Sequence, residues 1–131
     1  MYIGIDLGTS GVKVVLVDGA QHVLASETVA LDVSRPHEGW SEQNPEDWLT
    51  ATLAAIDALA KAHPSEVSQV AGIGLSGQQH GAVLLDGDGK VLRPCILWND
   101  KRAEAEWAIC EQRFPERRNV TGNIGKAGGK D

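Results

Sequence analysis

Three runs of strand-forming residues follow one another at the start of the chain, separated only by short turns. The runs cover residues 1–7, 12–18 and 23–33, and each is rich in β-branched or aliphatic side chains. Turns of this length are typical of antiparallel hairpins. The first 33 residues therefore predict a three-stranded antiparallel meander.

The pattern changes to helical spacing after the meander. Residues 34–43 show no period and are predicted to form a loop. Asn44 is a typical helix cap, Pro45 suits the first helical position, and the acids that follow favour the positive end of the helix dipole. Apolar residues then recur at helical spacing, at Leu49, Leu53, Ile56 and Ala60. We predict an amphipathic helix that packs on the meander through this face and ends at His63 and Pro64.

The next segments predict further strands. Residues 70–75 form a short apolar run of the kind found in buried strands. Residues 82–85 and 90–92 flank an Asp-Gly turn and predict a hairpin. Residues 95–98 predict one more strand.

A second helix follows these strands. Asn99 or Asp100 can cap it, and Pro115 stops it. Its apolar face is predicted to hold Ala103, Trp107, Cys110 and Phe114. Together the elements predict an α/β domain over residues 1–115. Residues 116–131 contain four glycines and are expected to form a mobile tail.

The charge balance excludes several classes of function. The 131 residues include 12 basic and 18 acidic ones, a formal charge of −6, which argues against nucleic acid as a partner. No apolar run approaches the ~20 residues of a membrane helix, and the start lacks the features of a secretory signal. We therefore expect a cytoplasmic protein with no membrane partner. Cys95 and Cys110 show no metal-ligand spacing, and we expect both to be reduced and buried.

One turn in the meander carries groups suited to phosphate chemistry. Asp6 ends the first strand, and the turn and strand that follow supply Gly8, Thr9, Ser10 and Lys13. Backbone N–H groups can converge on phosphate oxygens, the hydroxyls add donors, and the carboxylate can hold Mg²⁺ directly or through water. The first strand looks buried, and an unpaired carboxylate at its end would be costly without a cation. These residue types predict a site for a metal-bound polyphosphate, and an ordinary polar β-turn is the alternative.

Polar groups also follow the strand predicted over residues 70–75. Residues 76–81 bring together a serine hydroxyl, two glutamine amides and the imidazole of His80. These groups suit a polyhydroxylated ligand, because amides and imidazole both donate and accept hydrogen bonds. A polar connection with a solvated histidine is the alternative. Residues 72–77 match G-x-G-x-x-G, but that pattern requires a helix at its end, so we exclude a dinucleotide site.

Residues 2–13 closely resemble the start of the FGGY family of carbohydrate kinases. Four later segments resemble further motifs of the family and occur in the same order, at residues 34–37, 40–45, 76–81 and 96–100. The resemblance extends to about residue 123. It implies the actin-like, ribonuclease-H-like ATPase fold, a mixed sheet with flanking helices. It also implies transfer of the γ-phosphoryl group of ATP, with Mg²⁺, to a sugar hydroxyl.

Within the family, the motifs look most like those of members that phosphorylate the 5-hydroxyl of D-xylulose. Kinases of ribulose or glycerol, and a non-catalytic ligand-binding module on the same fold, are the alternatives. In the family the general-base aspartate and the adenine pocket belong to later sequence that these 131 residues do not contain. We therefore interpret the chain as an N-terminal piece of a sugar kinase that is inactive by itself. We also expect it to self-associate through uncovered apolar surface.

The resemblance implies roles for individual residues. Asp6 is expected at the Mg²⁺ ion and the phosphates. Two further sets line the ligands, namely Gly8, Thr9, Ser10 and Lys13 for the phosphates and Gln79 and His80 for the sugar. Gln79 departs from the family pattern, because the members that act on xylulose often carry methionine there.

Overall fold

The computed structural model describes residues 1–116 of the chain. The strands in this range are β1 (Tyr2–Leu7), β2 (Gly11–Val17), β3 (Val23–Ala30), β4 (Glu42–Gln43), β5 (Gly72–Gly77) and β6 (Cys95–Ile96). The helices are α1 (Pro45–Ala62), α2 (Pro64–Val67) and α3 (Glu104–Arg113). The tail predicted over residues 116–131 lies outside the described residues apart from Glu116.

Four strands form one mixed sheet in the order β3-β2-β1-β5. β2 pairs antiparallel with both β1 and β3, which confirms the predicted meander, although β3 ends at Ala30 and not at residue 33. β5 runs parallel to β1 on its other side. The α/β class with a mixed sheet is therefore confirmed, and β1 lies between an antiparallel and a parallel neighbour.

The core lies between this sheet and α1. Alternate residues of β1 and β2 point toward the helix, because successive side chains of a strand face opposite sides of a sheet. The buried cluster consists of Ile3, Ile5, Val12, Val14, Leu16, Ala51, Ala55 and Leu59. The two alanines allow α1 to lie close to the sheet, and Leu59 fills the remaining space near the end of the helix.

The helix face predicted from the sequence is wrong in its main residues. Leu49 and Leu53 are 63% and 52% exposed. Ile56 is half-buried and packs against the core, and the buried stripe is formed by the three α1 residues of the cluster named above. The strands already supply large side chains, so small residues on the helix give the closer packing. Hydropathy favours leucine over alanine and therefore misassigns the face.

The ends of α1 follow the sequence signals. The Asn44 side chain accepts a hydrogen bond from the Glu46 N–H at 3.2 Å, and Pro45 occupies the start of the helix, so the predicted cap is confirmed. His63 ends the helix and donates its N–H to the Leu59 carbonyl at 2.8 Å. The short α2 that follows was not predicted. Within residues 1–116, no helix is both long and apolar enough to cross a membrane.

The strand predicted over residues 70–75 forms as β5, but it is not buried as expected. Its side chains Ile73 and Leu75 are 63% and 77% exposed. They pair in register with Ile3 and Ile5 of β1 and thus lie on the helix side of the sheet. α1 covers β2, β3 and the adjoining side of β1, and no described element continues this cover across β5.

The segment after β5 has less regular structure than predicted. The hairpin expected over residues 82–92 does turn back on itself, because the Asp86 and Leu92 N–H groups donate to the carbonyls of Lys90 and Leu84 at 2.9 Å each. Its pairing is limited to one antiparallel bridge, between Leu85 and Val91, so neither side forms a regular strand. The strand expected over residues 95–98 is limited to the two residues of β6, which pair with β4. Few backbone hydrogen bonds join β4 to β6, because each of these strands is two residues long.

The second predicted helix starts later than expected. Its cap position is Ala103, so neither Asn99 nor Asp100 caps α3. α3 buries no residue, and three members of its predicted apolar face, Ala103, Cys110 and Phe114, are exposed, whereas Trp107 is half-buried. The expectation that Cys110 is buried is therefore wrong, because its side chain lies on an exposed part of α3.

Cys95 on β6 is buried, as expected. Burial raises the pKa of its thiol above the usual value. Gly81 packs directly against it, since a Cβ atom at this glycine would lie 2.9 Å from the Cys95 Sγ atom. The loop after β5 is therefore seated on the short β4–β6 sheet at a position that only glycine fits.

An ion-pair cluster around Arg102 joins β4 to the loop before α3. Arg102 donates from Nε and Nη2 to the two carboxylate oxygens of Asp100, at 2.8 and 2.6 Å. Its Nη1 lies 2.8 Å from a Glu42 carboxylate oxygen, and its guanidinium lies 3.7 Å from the centre of the Trp40 ring. Asp100 also accepts the Ser41 N–H at 2.6 Å. This cluster fixes the segment that carries Trp98 and Asn99.

The cluster lowers the pKa of Asp100 from 3.8 to about 2. Burial by itself raises this pKa, but hydrogen bonds from the Arg102 side chain and from the backbone N–H groups of Ser41 and Arg102 outweigh it. Because the folded pKa lies below the unfolded one, the contribution to stability is present above about pH 4. It is lost as the pH falls toward 2.

The packing of α1 is testable with two leucines on the same helix. Leu59 is 1% exposed, so Leu59→Ala leaves a cavity and should lower the free energy of unfolding by about 2–5 kcal/mol. Leu53→Ala is the matched control and should cost less than about 1 kcal/mol. Urea unfolding followed by circular dichroism measures both. Equal losses for the two variants would contradict the buried stripe described above.

The Asp100 cluster predicts a pH dependence of stability. The difference in free energy of unfolding between the wild type and Asp100→Asn should shrink by roughly 1–2 kcal/mol as the pH is lowered from 5 to 2. Urea titrations at a series of pH values measure this difference. Asp57→Asn, which removes an exposed carboxylate on α1, controls for the loss of one charge. A difference between wild type and Asp100→Asn that stays constant over this range excludes the ion-pair account.

Candidate functional site

The turn between β1 and β2 forms a closed hairpin, as the sequence predicts. The Gly8 N–H donates to the Gly11 carbonyl at 3.0 Å, and the Leu31 N–H donates to the Ser10 carbonyl at 3.0 Å. A Cβ atom at Gly11 would lie 2.8 Å from the Val29 carbonyl oxygen, so only glycine lets this turn approach β3. Thr9 and Ser10 occupy its tip. We call residues 8–11 the phosphate hairpin, after the role expected for them.

Asp6 is exposed, contrary to the expectation that it ends a buried strand. Its neighbour Ile5 faces α1, so Asp6 faces the opposite side of the sheet, which no described helix covers. The argument that burial of this carboxylate demands a cation is therefore wrong. In register, Asp6 is flanked by Lys13 on β2 and Ser76 on β5.

A shallow cavity lies on this open face of the sheet. Its volume is about 380 Å³. Its lining includes the side chains of Asp6, Lys13 and Ser76 and the glycines Gly4 and Gly74. A carboxylate and an ammonium group thus border a floor that is open above Gly74, where nothing lies within 4 Å of a Cβ position, while the Val15 side chain lies against Gly4. Such a floor admits a ligand close to the backbone.

The loop after β5 leaves the sheet beside the phosphate hairpin. The Gln78 N–H donates to the Leu7 carbonyl at 2.9 Å, which continues the pairing of β5 with β1 by one residue. Gln79 and His80 follow, both exposed, and His80 has a φ of 66°. Residues 78–80 are called the sugar loop below, after the role expected for Gln79 and His80. Because β1 and β5 are parallel, the hairpin and this loop lie at the same end of the sheet.

The G-x-G-x-x-G match at residues 72–77 lacks the helix that the dinucleotide pattern requires, as the sequence predicts. The six residues of the G-x-G-x-x-G match form strand β5 from end to end, and the sugar loop follows, not a helix. The glycines of this match therefore lie in a strand and do not cap a helix that could bind a pyrophosphate.

Hydrogen bonds connect the hairpin to the loop, and two of the four residues that make them, Gln43 and Trp98, had no predicted role at the site. The Thr9 hydroxyl donates to the Gln78 Oε1 atom at 3.0 Å and accepts the Trp98 indole N–H at 3.1 Å. Gln43 Nε2 donates to the Thr9 carbonyl at 2.7 Å, and Gln43 Oε1 accepts from Gln78 Nε2 at 3.1 Å. No periodicity marks these four residues, since they come from four separate segments. The available signal was that Gln43, Gln78 and Trp98 all lie in segments that resemble motifs of the family, at residues 40–45, 76–81 and 96–100.

The donor set at Asp6 fits a magnesium ion that is shared with a ligand. Within residues 1–116, no group of three or more His, Cys, Asp or Glu side chains is arranged to hold a metal ion. Magnesium is often bound through one or two carboxylates together with substrate phosphates. A single exposed carboxylate beside a phosphate hairpin and a lysine suits that mode of binding and does not suit a closed, all-protein site.

Comparison with known proteins identifies the family. Residues 1–126 match the model of the N-terminal domain of the FGGY family of carbohydrate kinases. The chain is 52% identical over 124 residues to the xylulose kinase of Escherichia coli K12. This alignment covers 95% of this chain and 25% of the relative. It is 43% identical over 112 residues to the xylulose kinase of Bacillus subtilis 168, in an alignment that covers 86% of this chain and 22% of the relative.

A solved structure shows the same architecture. The xylulose kinase of Brucella ovis superposes with a TM-score of 0.92 at 56% identity, over 97% of this chain and 26% of that one. The expected actin-like ATPase fold is thereby confirmed. The chain spans about a quarter of the length of these relatives. On the family model and these identities, the chain belongs to the FGGY family of carbohydrate kinases, of which it contains the N-terminal domain.

Proposed function

We propose that the chain is the N-terminal part of a kinase that transfers the γ-phosphoryl group of ATP to the 5-hydroxyl of D-xylulose. The observation that carries the proposal is the meeting of the phosphate hairpin and the sugar loop, joined by the 3.0 Å bond between Thr9 and Gln78. A donor and an acceptor of a phosphoryl group must lie side by side. The similarity to xylulose kinases supports the choice of sugar. The cytoplasmic location expected from the sequence belongs to the same proposal.

The nucleotide end of the site consists of Asp6 and the phosphate hairpin. Mg²⁺, when bound with the nucleotide, neutralises phosphate charge during the transfer. Asp6 would hold that ion, and Lys13, beside it in register, adds a positive charge for the phosphates. Thr9 and Ser10 bring backbone N–H groups to the tip of the turn, and the exposed Ser10 hydroxyl adds a donor. Gly8 lines the turn, and its own N–H closes the turn onto the Gly11 carbonyl.

The sugar end consists of Gln79 and His80. Both side chains are exposed at the end of β5, where amide and imidazole groups can donate to and accept from neighbouring hydroxyls. Positioning of the sugar is their proposed role. The residues of this chain bind and orient the two substrates, and deprotonation of the attacking hydroxyl is assigned to sequence that these 131 residues do not contain.

We extend the proposal to self-association through β5. Ile73 and Leu75 are exposed on a strand that, among the described residues, pairs with β1 alone. An open strand edge with uncovered apolar side chains favours pairing with a second copy.

Light scattering over a concentration series tests this pairing. The wild type should show a mass that rises toward a dimer, and Ile73→Lys should remain a monomer, because a charged side chain on the strand opposes pairing. Val23→Lys is the matched control, since Val23 is equally exposed on β3. A wild-type chain that stays strictly monomeric at every concentration rules out the association.

The ligand sites are testable on the isolated chain by titration of a ¹⁵N-labelled sample. MgATP should shift the amide signals of residues 8–11, and D-xylulose those of Gln79 and His80, with weaker responses to D-ribulose and glycerol. Asp6→Asn should weaken the response to MgATP about tenfold or more, because the bound ion loses its carboxylate. Asp57→Asn, on α1, should not change it.

Two results would contradict the assignment. One is a MgATP response of Asp6→Asn that equals that of the wild type. The other is xylulose-dependent ADP release by the isolated chain, which would show that the 131 residues complete the transfer without further sequence.

A further inference from the structure

We propose that Thr9 is a positioning residue that couples the sugar loop to the phosphate hairpin, with its hydroxyl committed to protein and not to phosphate. The inference rests on the proposed function, because it concerns how the two ends of that site affect each other. Thr9 contacts Gln78 of the sugar loop, Trp98, and Gln43 ahead of α1. It is therefore the meeting point of three segments that are distant in sequence.

The direction of these hydrogen bonds is fixed from one end by Trp48. An indole N–H can only donate. Trp48 Nε1 lies 3.1 Å from the Gln43 side-chain atom assigned as Oε1, so that atom must be the acceptor. The other end of this amide, Nε2, then faces the carbonyls of Thr9 and Asp32 at 2.7 and 3.1 Å and donates to both. The orientation of the Gln43 amide is thus determined by its partners.

The orientation of the Gln43 amide in turn determines the direction of the hydrogen bonds at Gln78 and at the Thr9 hydroxyl. Gln43 Oε1 accepts from the Gln78 amide, which must present Nε2 to it and therefore presents Oε1 to Thr9. The Thr9 hydroxyl donates its one proton to that oxygen. The Trp98 indole, also a pure donor, fills an acceptor position on the same hydroxyl at 3.1 Å. No proton remains on this hydroxyl for a phosphate oxygen.

The position of this chain of bonds makes it suited to transmit a displacement. Gln43 is 3% exposed and holds the Thr9 carbonyl, so one side of the hairpin is anchored to the protein interior. Gln78 directly precedes Gln79, the residue expected to contact the sugar. Trp98 lies two residues before Asp100, which the Arg102 cluster holds in place. A shift of the sugar loop therefore acts on the Thr9 hydroxyl, while Trp98 donates to the same hydroxyl and Gln43 holds the Thr9 carbonyl.

The test compares Thr9→Val, which keeps the shape of the side chain without the hydroxyl, with Thr9→Ser, which keeps the hydroxyl. Thr28→Val, at an exposed position on β3, is the control. The first readout is the Trp98 indole N–H signal in a ¹⁵N spectrum, assigned with Trp98→Phe. We expect Thr9→Val to move this signal and to speed its exchange with solvent about fivefold or more. We expect Thr9→Ser to restore the wild-type signal and Thr28→Val to leave it unchanged.

The second readout is the response of the hairpin to sugar. D-xylulose should move the amide signals of residues 8–11 in the wild type and in Thr9→Ser, and move only those of Gln79 and His80 in Thr9→Val. In the wild type we expect the sugar to change the affinity for MgATP about fivefold, a typical coupling between two sites, and in Thr9→Val to leave it unchanged.

The two readouts separate this proposal from the proposed function. A Trp98 signal that Thr9→Val does not move overturns the hydroxyl link, whatever the sugar does. Hairpin signals that respond to sugar equally in Thr9→Val and the wild type overturn the coupling. Sugar-loop signals that do not respond to D-xylulose in any variant overturn the proposed sugar site and the coupling with it, and the Trp98 signal then still decides whether the hydroxyl link exists.

Discussion

The pairing of β1 with a parallel neighbour on one side and an antiparallel neighbour on the other determines where a site can form. The antiparallel pair requires a tight hairpin directly after β1, and the parallel pair brings the end of β5 to the same place. The phosphate hairpin and the sugar loop consequently emerge together. α1 covers the opposite side of the sheet through small residues and leaves the face that carries Asp6 open. The chemistry of the site depends on this division between a packed face and an open one.

The features that the sequence predicts correctly depend on residues close together in the chain. The meander, the turn at residues 8–11 and the Asn44 cap follow from local turn and capping preferences, and the structure reproduces them. The failures concern contacts across the fold. Hydropathy placed Leu49 and Leu53 against the sheet and took β5 as buried, although burial depends on which element covers a face and not on the residue itself.

The residues of the candidate site also fall into those that local sequence reveals and those that depend on distant contacts. Asp6 and the hairpin residues were found from their order along the chain, and the structure brings them next to the sugar loop. Gln43 and Trp98 had no predicted role, and Gln78 was grouped with its neighbours in residues 76–81 without its bond to the hairpin. The reason is that each of the three contacts Thr9 across a long separation, of 34, 69 and 89 positions for Gln43, Gln78 and Trp98. A buried polar side chain must find such partners or incur a large penalty, so a fully paired network restricts the hairpin to one arrangement.

The seat of the sugar loop on β6 provides a built-in chemical reporter. The Cys95 sulfur is covered by Gly81, one residue beyond His80, whereas the Cys110 sulfur lies open on α3. A thiol reagent meets the outer sulfur directly, whereas it reaches the inner one only after the structure around β6, the loop at Gly81 included, has moved. Since the reactive form is the thiolate and burial raises the pKa of the Cys95 thiol, the ratio of the two alkylation rates at one fixed pH falls when the inner sulfur is more tightly covered.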